Sequence, residues 1–517
     1  MRHRTTLFFK SIDLIDPESI QISKNSLSLR SPKKFAKEER ITIGLDELPQ
    51  ELNQLLTTSK VLNIRWVTEK EFEIEDPLVS RLSPGLHIFY TPQRDTKSLT
   101  ILCSIIEKAF GGVDCSNPER SFTSRRDDDF SDHTSYNYHT LLPSISDFVE
   151  YLIYKACPLL LPSLSEYCIE YATTLADAST LDISFNVKTN SLVTSCFRPI
   201  KTELFSVSIP TELSSQYNTR REIGLLAPLP SPESYPSIKP EETSFAGFLS
   251  VISENGDLKP TIFSFPSRHH SSDTKFQAYF QENSGLHPIL ELKVKDAVVP
   301  AENQDCGLYV YLILSRFLFV DKYQFSDPLF LSDKNIAGLQ YIDGNIDLEA
   351  PEYNVYSWGS SALVKLAQPA ITRDPRTEWK AQIPTHLRYL LPASNTSGSR
   401  DIKIPYPVMF WACTPKDKPE FSLNPFDRTY LGYDDLFAPD TEFYHLSPEA
   451  LQDDGRLVNR LKVPVLNLDH SRWVENLTLI AIGLGFAWIF WCLLEVLMGH
   501  GYKSNVEKTN GKEKKIK

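Results

Sequence analysis

Residues 306–324 read CGLYVYLILSRFLFVDKYQ and carry the strongest structural signal in the chain. Aromatic and β-branched residues, which favour strands, dominate this segment. Comparable segments follow one another from 285 to 465, each bounded by proline, glycine, asparagine or aspartate: HPILELKVKDAVV at 287–299, EYNVYSWGSSALVKL at 352–366, THLRYLLP at 385–392 and YPVMFWAC at 406–413. No long amphipathic helix intervenes. The pattern predicts a protein that is mainly β with some α, and an antiparallel β-sandwich-like domain in this half.

The N-terminal part, residues 1–227, has the mixed pattern of an α/β region. Short strand-like segments alternate with polar turns, and LTILCSIIEKAF at 99–110 predicts a helix. Residues 116–139 are polar and almost free of aliphatic side chains, so they predict a long loop. A segment rich in proline and serine at 228–244 predicts a linker. We therefore expect a domain boundary there and assign residues 245–476 to the β-rich domain.

Beyond that domain, residues 477–498 read LTLIAIGLGFAWIFWCLLEVLM, 22 residues with one ionisable side chain. A helix of that length spans about 33 Å, which matches the hydrocarbon layer of a membrane. Residues 499–517 form a tail that carries six lysines, whereas only Arg472 precedes the helix closely. The positive-inside rule predicts a single-pass protein with a lumenal body and a cytosolic tail.

The chain ends KKIK, which places Lys514 and Lys515 in the positions of a dilysine retrieval signal. This arrangement predicts residence in the endoplasmic reticulum membrane. The alternative is that the lysines only hold the helix against anionic lipid. The N-terminal apolar run at 7–9 is too short for the core of a cleavable signal peptide. A tail-anchored protein with a cytosolic body is the rival topology.

Two further features fit a lumenal body. Asn395 and Asn476 satisfy the acceptor pattern for N-glycosylation, and Asn395 is the better candidate because it lies in a polar stretch with glycine and serine. Seven of the eight cysteines precede the membrane helix, so at least one of the seven is unpaired. The sequence leaves open whether the others form disulfides or stay as buried thiols.

Several classes of function find no support. The chain has 54 Lys and Arg against 66 Asp and Glu, a net charge of -12, and no basic face with interleaved aromatic residues, which argues against a nucleic-acid partner. It contains no P-loop, no dinucleotide-binding fingerprint and no nucleophile elbow. Cysteine and histidine spacings do not match a zinc site. We expect no catalytic residue, metal or cofactor.

Three short polar groups could mimic a metal site. Asp127 to Asp129 contain an Asp-x-Asp pattern, and Asp434 with Asp435 forms a second acidic pair. We interpret both as solvated acidic turns, because runs of charge usually serve solubility. His269 and His270 have no partner ligand at a suitable interval, so we expect an exposed loop pair.

The membrane helix itself has a face suited to a neighbour. Gly483 and Ala487 are four residues apart, and such a pair of small residues lets a second helix approach closely. Glu495 lies near the cytosolic boundary, where it either pairs with a basic residue of a neighbouring helix or reaches water.

Six motifs of the C-terminal half occur in order over about 180 residues. They are GLHP at 285–288, CGLYVYLILSRFLFVDKYQ at 306–324, LEAPEYNVYSWGS at 348–360, THLRYLLP at 385–392, PVMFWAC at 407–413 and LGYDDLFAPDTEFYHL at 431–446. With these motifs and one C-terminal membrane helix, the chain resembles the PIG-X family, which includes the fungal protease-B-nonderepressible proteins.

The resemblance implies a non-catalytic glycoprotein of the endoplasmic reticulum, an accessory subunit of GPI mannosyltransferase I. Its partner would be the multispanning catalytic subunit that adds the first mannose during GPI-anchor biosynthesis. The alternatives are a general lumenal chaperone for secretory and membrane proteins and, last, that this chain is itself the transferase. The positions that recur in the family could hold the fold or contact the partner; here they are His287, Cys306, Asp321, His386, Arg388, Tyr389, Cys413, Gly432 and Tyr433.

Two of these groups allow a sharper expectation. A bridge between Cys306 and Cys413 could clamp two sheets, and two free buried thiols are the alternative. His386 and Arg388 alternate along a strand and would share one face, with Tyr389 on the other. That shared face is either a partner surface or the solvated side of the sheet.

Overall fold

The structure is a computed structural model of the 517-residue chain. It describes residues 1–10, 20–23, 26–30, 35–73, 78–93, 97–115, 117–126, 134–160, 162–200, 204–208, 220–228, 244–252, 258–282, 285–295, 299–300, 305–369, 378–394, 398–415, 421, 424–451 and 454–499. The chain forms a larger compact unit, residues 1–390 and 401–463, and a smaller one, residues 391–400 and 464–517.

Strands dominate the described residues. The first fourteen are β1 (Arg2–Phe8), β2 (Ile20–Ser23), β3 (Ser26–Arg30), β4 (Phe35–Gly44), β5 (Ser59–Val67), β6 (Gly85–Pro92), β7 (Thr123–Arg126), β8 (Thr134–Thr140), β9 (Thr180–Asn186), β10 (Ser191–Ile200), β11 (Leu204–Ser208), β12 (Arg220–Pro228), β13 (Ser244–Ile252) and β14 (Leu258–Pro266). The others are β15 (His269–Phe280), β16 (Ile289–Val294), β17 (Asp305–Ser315), β18 (Leu318–Phe319), β19 (Ile336–Gly344), β20 (Gly359–Leu366), β21 (Trp379–Pro384), β22 (His386–Leu387), β23 (Ser399–Pro405), β24 (Val408–Thr414), β25 (Glu442–Pro448) and β26 (Val458–Pro464).

The α-helices are fewer, and all but one are short. They are α1 (Gln50–Thr57), α2 (Lys97–Phe110), α3 (Pro118–Ser121), α4 (Ser146–Tyr151), α5 (Pro162–Thr174), α6 (Pro328–Asp333) and α7 (Ser471–Gly499). The predicted mainly β class with a single C-terminal apolar helix is confirmed, and α2 contains the helix expected at 99–110.

Two large sheets build the larger unit. The first has eleven strands in the order β14-β13-β12-β1-β4-β10-β9-β5-β6-β8-β7, and the second has eight in the order β19-β20-β17-β24-β25-β15-β16-β21. Neighbouring strands are antiparallel except for β1 with β12 and β15 with β25, which run parallel. A shared apolar cluster joins the sheets where Val67 and Leu82 meet Tyr311, Phe410 and Tyr433. The second sheet therefore packs against residues of the N-terminal half.

The predicted loop at 116–139 is wrong for the part that is described, since α3, β7 and β8 lie there. β8 pairs with β6 and places Tyr136 and Tyr138 on one face, with Tyr138 buried in the core. Alternate aromatic residues were the period-two signal of a strand, and the polar residues between them masked it. Residues 229–243, most of the predicted linker, lie outside the described residues. The strands on either side of them, β12 and β13, pair in the first sheet, so β13 and β14 belong with the N-terminal strands and not with the domain expected to begin at residue 245.

Candidate partner-binding site

Five of the positions singled out in the sequence meet around the small pairing of β18 with β22. Phe319 of β18 lies opposite His386 of β22, and the two rings stack with centroids 5.3 Å apart. The guanidinium of Arg388 lies 4.4 Å from the centroid of the same Phe319 ring. One buried phenyl ring thus positions both side chains; it lies within the motif at 306–324, but Phe319 was not among the candidate site residues.

His386 connects this strand to two other segments. Its Nε2 lies 3.0 Å from Oε1 of Gln324, and its Nδ1 lies 3.0 Å from Nδ1 of His287. The amide oxygen of Gln324 can only accept, so we assign the proton of His386 to Nε2 and the donor of the second bond to His287. Burial, with the nearby His287, lowers the pKa of His386, and Asp321 acts in the opposite direction. His386 is therefore a neutral link in this network.

Arg388 joins the end of β22 to the loop of residues 345–350 by hydrogen bonds. It is buried, and its Nη1 donates to the carbonyl oxygens of Asp347 at 2.5 Å and Ala350 at 2.8 Å, while Nη2 donates to the carbonyl oxygen of Asn345 at 3.3 Å. Burial lowers its pKa. The expectation that Arg388 lies on a partner surface or a solvated face is wrong, because these carbonyl groups enclose its charged end.

The side chain that does reach solvent is Tyr389, which is 68% exposed. The backbone N–H of Glu352 donates to the Tyr389 carbonyl oxygen at 3.0 Å, which places the segment of Tyr353 and Tyr356 beside it. Tyr323, also exposed, precedes the Gln324 that bonds to His386.

We call the four exposed residues Tyr323, Tyr353, Tyr356 and Tyr389 the tyrosine patch. Tyrosine is enriched at protein interfaces because it buries a large rigid ring and retains a hydrogen-bonding group.

Gly432 lies where the two large sheets meet. It has a φ of +86°, and a Cβ added there would lie 2.6 Å from Oη of Tyr311 and 3.4 Å from Cε1 of Phe89. Tyr311 belongs to β17 and Phe89 to β6, so the backbone at Gly432 fits between side chains of both sheets. This position holds the fold.

Tyr433 and the nearby Arg428 complete that junction. The fully buried Tyr433 donates from its hydroxyl to the carbonyl oxygen of Arg81 at 2.8 Å. Arg428 donates to the carbonyl oxygen of Ser80 at 2.9 Å and to Oδ1 of Asp182 at 2.7 Å. Nothing in the sequence marks Arg428, because its partners are more than 200 residues away. The Tyr433 bond ties the motif at 431–446 to the segment before β6, and the Arg428 bonds tie the residues before that motif to the same segment and to β9 of the first sheet.

The histidine pair expected in an exposed loop is instead buried at the start of β15. His269 and His270 are 2% and 6% exposed. Nδ1 of His269 lies 2.9 Å from Nε2 of His445, its ring stacks on Phe443 at 5.1 Å, and its Nε2 lies 3.6 Å from Asp427. The expectation failed because β15 pairs in parallel with the distant β25, a contact that sequence spacing does not show.

The acidic pair near this cluster was expected to be a solvated turn, which is correct for the exposed Asp435 and wrong for Asp434. Asp434 is 1% exposed, and its carboxylate accepts the backbone N–H groups of Leu431 at 2.6 Å and Tyr430 at 2.9 Å. It therefore shapes the turn that presents Gly432, rather than lying in solvent. Within the part of the chain that the structure describes, no group of three or more His, Cys, Asp or Glu side chains is arranged to hold a metal ion.

The buried histidines predict a loss of stability in acid. Burial lowers the pKa of His139 and of His270 from 6.5 to about 4, so the unfolded chain binds more protons between those values. Each histidine should therefore lower the free energy of unfolding by about 2 kcal/mol at pH 5 relative to neutral pH. Burial raises the pKa of Asp427 to about 6, which offsets about 1 kcal/mol of that loss.

From these three groups we expect denaturant unfolding to show stability falling by about 3 kcal/mol between pH 7 and pH 5. His87, His269 and His445 have pKa values lowered in the same direction by burial and add to the effect. The variant His139→Gln should lose part of this pH dependence. A free energy of unfolding that stays constant over this range would contradict the prediction.

The structure contains a disulfide between Cys306 and Cys413. The two residues face each other on β17 and β24, neighbouring strands of one sheet, so the bond does not clamp two sheets as expected. Two further disulfides join Cys103 to Cys115 and Cys157 to Cys168, while Cys196 and Cys492 are free. Six of the seven cysteines of the body are therefore paired.

Helix α7 contains the predicted membrane segment. The most apolar 18-residue window within Leu468–Met498 has a mean hydropathy of 2.3, and this helix is long and apolar enough to cross a membrane. Gly483 and Ala487 are both exposed on this helix, and Asn476 lies in its second turn. Asn395, Asp127 to Asp129, Lys514 and Lys515 lie outside the described residues, so the predictions made for them are unchanged.

These features define a class of protein with a mainly β, disulfide-bonded body and one C-terminal apolar helix, consistent with single-pass membrane anchoring. The family model PIG-X / PBN1 matches residues 283–494. The chain is 39% identical to Protein pbn1 of Neurospora crassa, with 98% of this chain and 97% of the relative covered, and 36% identical to Protein pbn1 of Emericella nidulans over the whole of both. It is 29% identical to Protein PBN1 of Saccharomyces cerevisiae over 43% of this chain and 46% of the relative.

The chain belongs to the PIG-X/PBN1 family. Membership supports, at the level of the family, a role in GPI-anchor biosynthesis.

Proposed function

We propose that this protein is a non-catalytic stabilising subunit of GPI mannosyltransferase I in the endoplasmic reticulum membrane, needed for addition of the first mannose to the GPI precursor. The observation that carries the proposal is the relationship to PBN1 proteins over nearly the whole chain. The body would lie in the lumen and the lysine-rich tail in the cytosol.

Two physical features support the lumenal placement. The three disulfides need an oxidising compartment to form and persist, and the cytosol keeps thiols reduced. The lysines that follow α7 favour the cytosolic side of the membrane.

Two surfaces are suited to the catalytic subunit. The tyrosine patch offers four exposed rings on segments held by the His386 and Arg388 networks, so the surface is ordered before a partner binds. In the membrane, the small-residue face of Gly483 and Ala487 allows close packing against a helix of the multispanning partner. When the body and the membrane helix of one chain bind the same partner, their covalent linkage raises the overall affinity.

Depletion of the protein tests the proposal. We expect the steady-state amount of the catalytic mannosyltransferase to fall and unmannosylated GPI precursors to accumulate. A normal amount of that enzyme together with normal mannosylated precursors would reject the proposal.

The tyrosine patch gives a sharper prediction. The double variant Tyr353→Ser and Tyr389→Ser removes two exposed rings and should lower copurification of the catalytic subunit at least about tenfold, because aromatic residues dominate interface energetics. The free energy of unfolding should change by less than about 0.5 kcal/mol, since both side chains are exposed. Quantitative mass spectrometry after mild-detergent purification measures how much of the catalytic subunit copurifies.

The matched control is Tyr154→Ser, which removes a ring that is 71% exposed on the N-terminal half. We expect it to retain full copurification. Equal retention of the partner by the double variant would show that the tyrosine patch is not the binding surface.

A further inference from the structure

The N-terminal half contains an apolar cavity that the proposed function does not use. It lies between α1, α2, α4 and α5 on one side and β4, β5, β9 and β10 on the other, and its volume is about 240 Å³. Its lining is almost entirely aliphatic and aromatic and includes Leu55, Leu62, Ile106, Phe110, Leu152 and Leu192. We call this space the helix–sheet cavity.

Disulfides hold the wall of the cavity in place. Cys103 lies in α2 and is bonded to Cys115 just after that helix, and Cys168 lies in α5 and is bonded to Cys157 just before it. Both helices contribute lining residues. Each bond ties one lining helix to the segment next to it in the chain and so restricts the movement of that helix. Both helices of the cavity wall are therefore covalently restrained.

The wall also contains a rare backbone conformation. Residues Leu152–Ala156 form a π-helical turn, and Leu152 and Ala156 both line the cavity. Such turns are uncommon and occur frequently at functional sites. Lining residues such as Leu48, Leu52 and Ile105 are only half-buried, so the cavity has an opening to its surroundings.

The chemistry of the lining selects the ligand. Large cavities lined by aliphatic and aromatic side chains stay dry and bind apolar molecules, because water finds no hydrogen-bonding partners there. One polar group stands out. The hydroxyl of Tyr171 is buried at the cavity and has no hydrogen-bond partner among the described residues. The site thus suits a long apolar chain with at most a single polar function at the buried end.

We propose that the helix–sheet cavity binds one hydrocarbon chain of a membrane lipid, either acyl or prenyl. This goes beyond the proposed function and does not depend on it. A lipid chain is favoured over other apolar molecules because α7 is long and apolar enough to keep the protein at a membrane, where such chains are the abundant apolar ligand.

Photocrosslinking in microsomes tests the proposal on the full chain. Two probes are used in separate arms, a palmitic acid analogue and a farnesol analogue, each carrying a diazirine and an alkyne. After irradiation, the labelled peptides of the purified protein are identified by mass spectrometry. We expect label on peptides of α2 and α5 in addition to α7, which contacts bulk lipid in any case. Labelling by one probe only, or by both, identifies the chain type that the cavity accepts.

Variants that fill the cavity provide the comparison. Ala109→Phe and Ala156→Phe each place a ring in the lining, and both should abolish labelling of α2 and α5 while α7 stays labelled. Ala176→Phe adds the same ring at an exposed position and should leave all labelling intact. Two cavity variants are used so that a folding defect in one leaves the other to decide. Label confined to α7 in the wild type, or persistent label on α2 and α5 in both variants, would overturn the proposal.

Discussion

Alanine substitution at both Cys306 and Cys413 is expected to lower the free energy of unfolding by about 4–5 kcal/mol. The disulfide closes a loop of 107 residues, and a cross-link across so long a loop removes a large amount of conformational entropy from the unfolded chain. Both cysteines are buried on neighbouring strands, so the folded sheet accepts the bond without rearrangement. Denaturant unfolding of the full chain, followed by tryptophan fluorescence, measures the change.

The internal control is the pair Cys157→Ala and Cys168→Ala, whose disulfide spans only 11 residues. The same entropy argument gives a loss of about 3 kcal/mol for the shorter loop. We therefore expect the Cys306 and Cys413 variant to be the less stable of the two. The reverse order would mean that loop entropy does not govern how these bonds stabilise the body.

Alanine at Gly432 is expected to lower the free energy of unfolding by about 3–5 kcal/mol. Part of the cost is the positive φ, which an L side chain tolerates poorly, and part is the overlap of the new methyl group with the hydroxyl of Tyr311. The turn is held by Asp434 and cannot easily move away. Thermal and denaturant unfolding of the variant measure the loss.

Two comparisons separate the two parts of this cost. Gly455→Ala introduces a methyl group at a φ of +65° with no atom within 4 Å, so it should cost only about 1–2 kcal/mol. Adding Tyr311→Phe to Gly432→Ala removes the hydroxyl that the methyl group meets and should restore part of the lost stability. If Gly432→Ala and Gly455→Ala were equally destabilising, close packing at Gly432 would not be the cause.

Local patterns in the sequence were sufficient for the strands and the membrane helix. The segment at 306–324 covers β18 and all of β17 except its first residue, and 99–110 lies within α2, because aromatic content and apolar spacing are properties of neighbouring residues. The run at 477–498 lies within α7 for the same reason. The prediction of a loop at 116–139 was wrong, since polar residues masked the alternation of Tyr136 and Tyr138 in β8, and the pairing of β8 with β6 is not visible in the sequence.

The contacts that form the candidate site cannot be predicted from the spacing of residues along the sequence. The family motifs pointed to His287 and His386, but their hydrogen bond joins residues 99 apart. His269 is buried because β15 pairs with the distant β25. Arg388 is buried because carbonyl groups of a separate loop accept its hydrogen bonds. Residue type alone assigned both side chains to the surface, because isolated charges and histidines usually lie there.

Affinity purification of the tagged full chain from microsomes in mild detergent, with quantification of every copurifying protein, tests the proposed subunit role. We expect one stoichiometric companion, the multispanning mannosyltransferase of GPI-anchor assembly, and its loss on mutation of Tyr353 and Tyr389. A broad set of unfolded secretory clients, or no membrane companion at all, would contradict it.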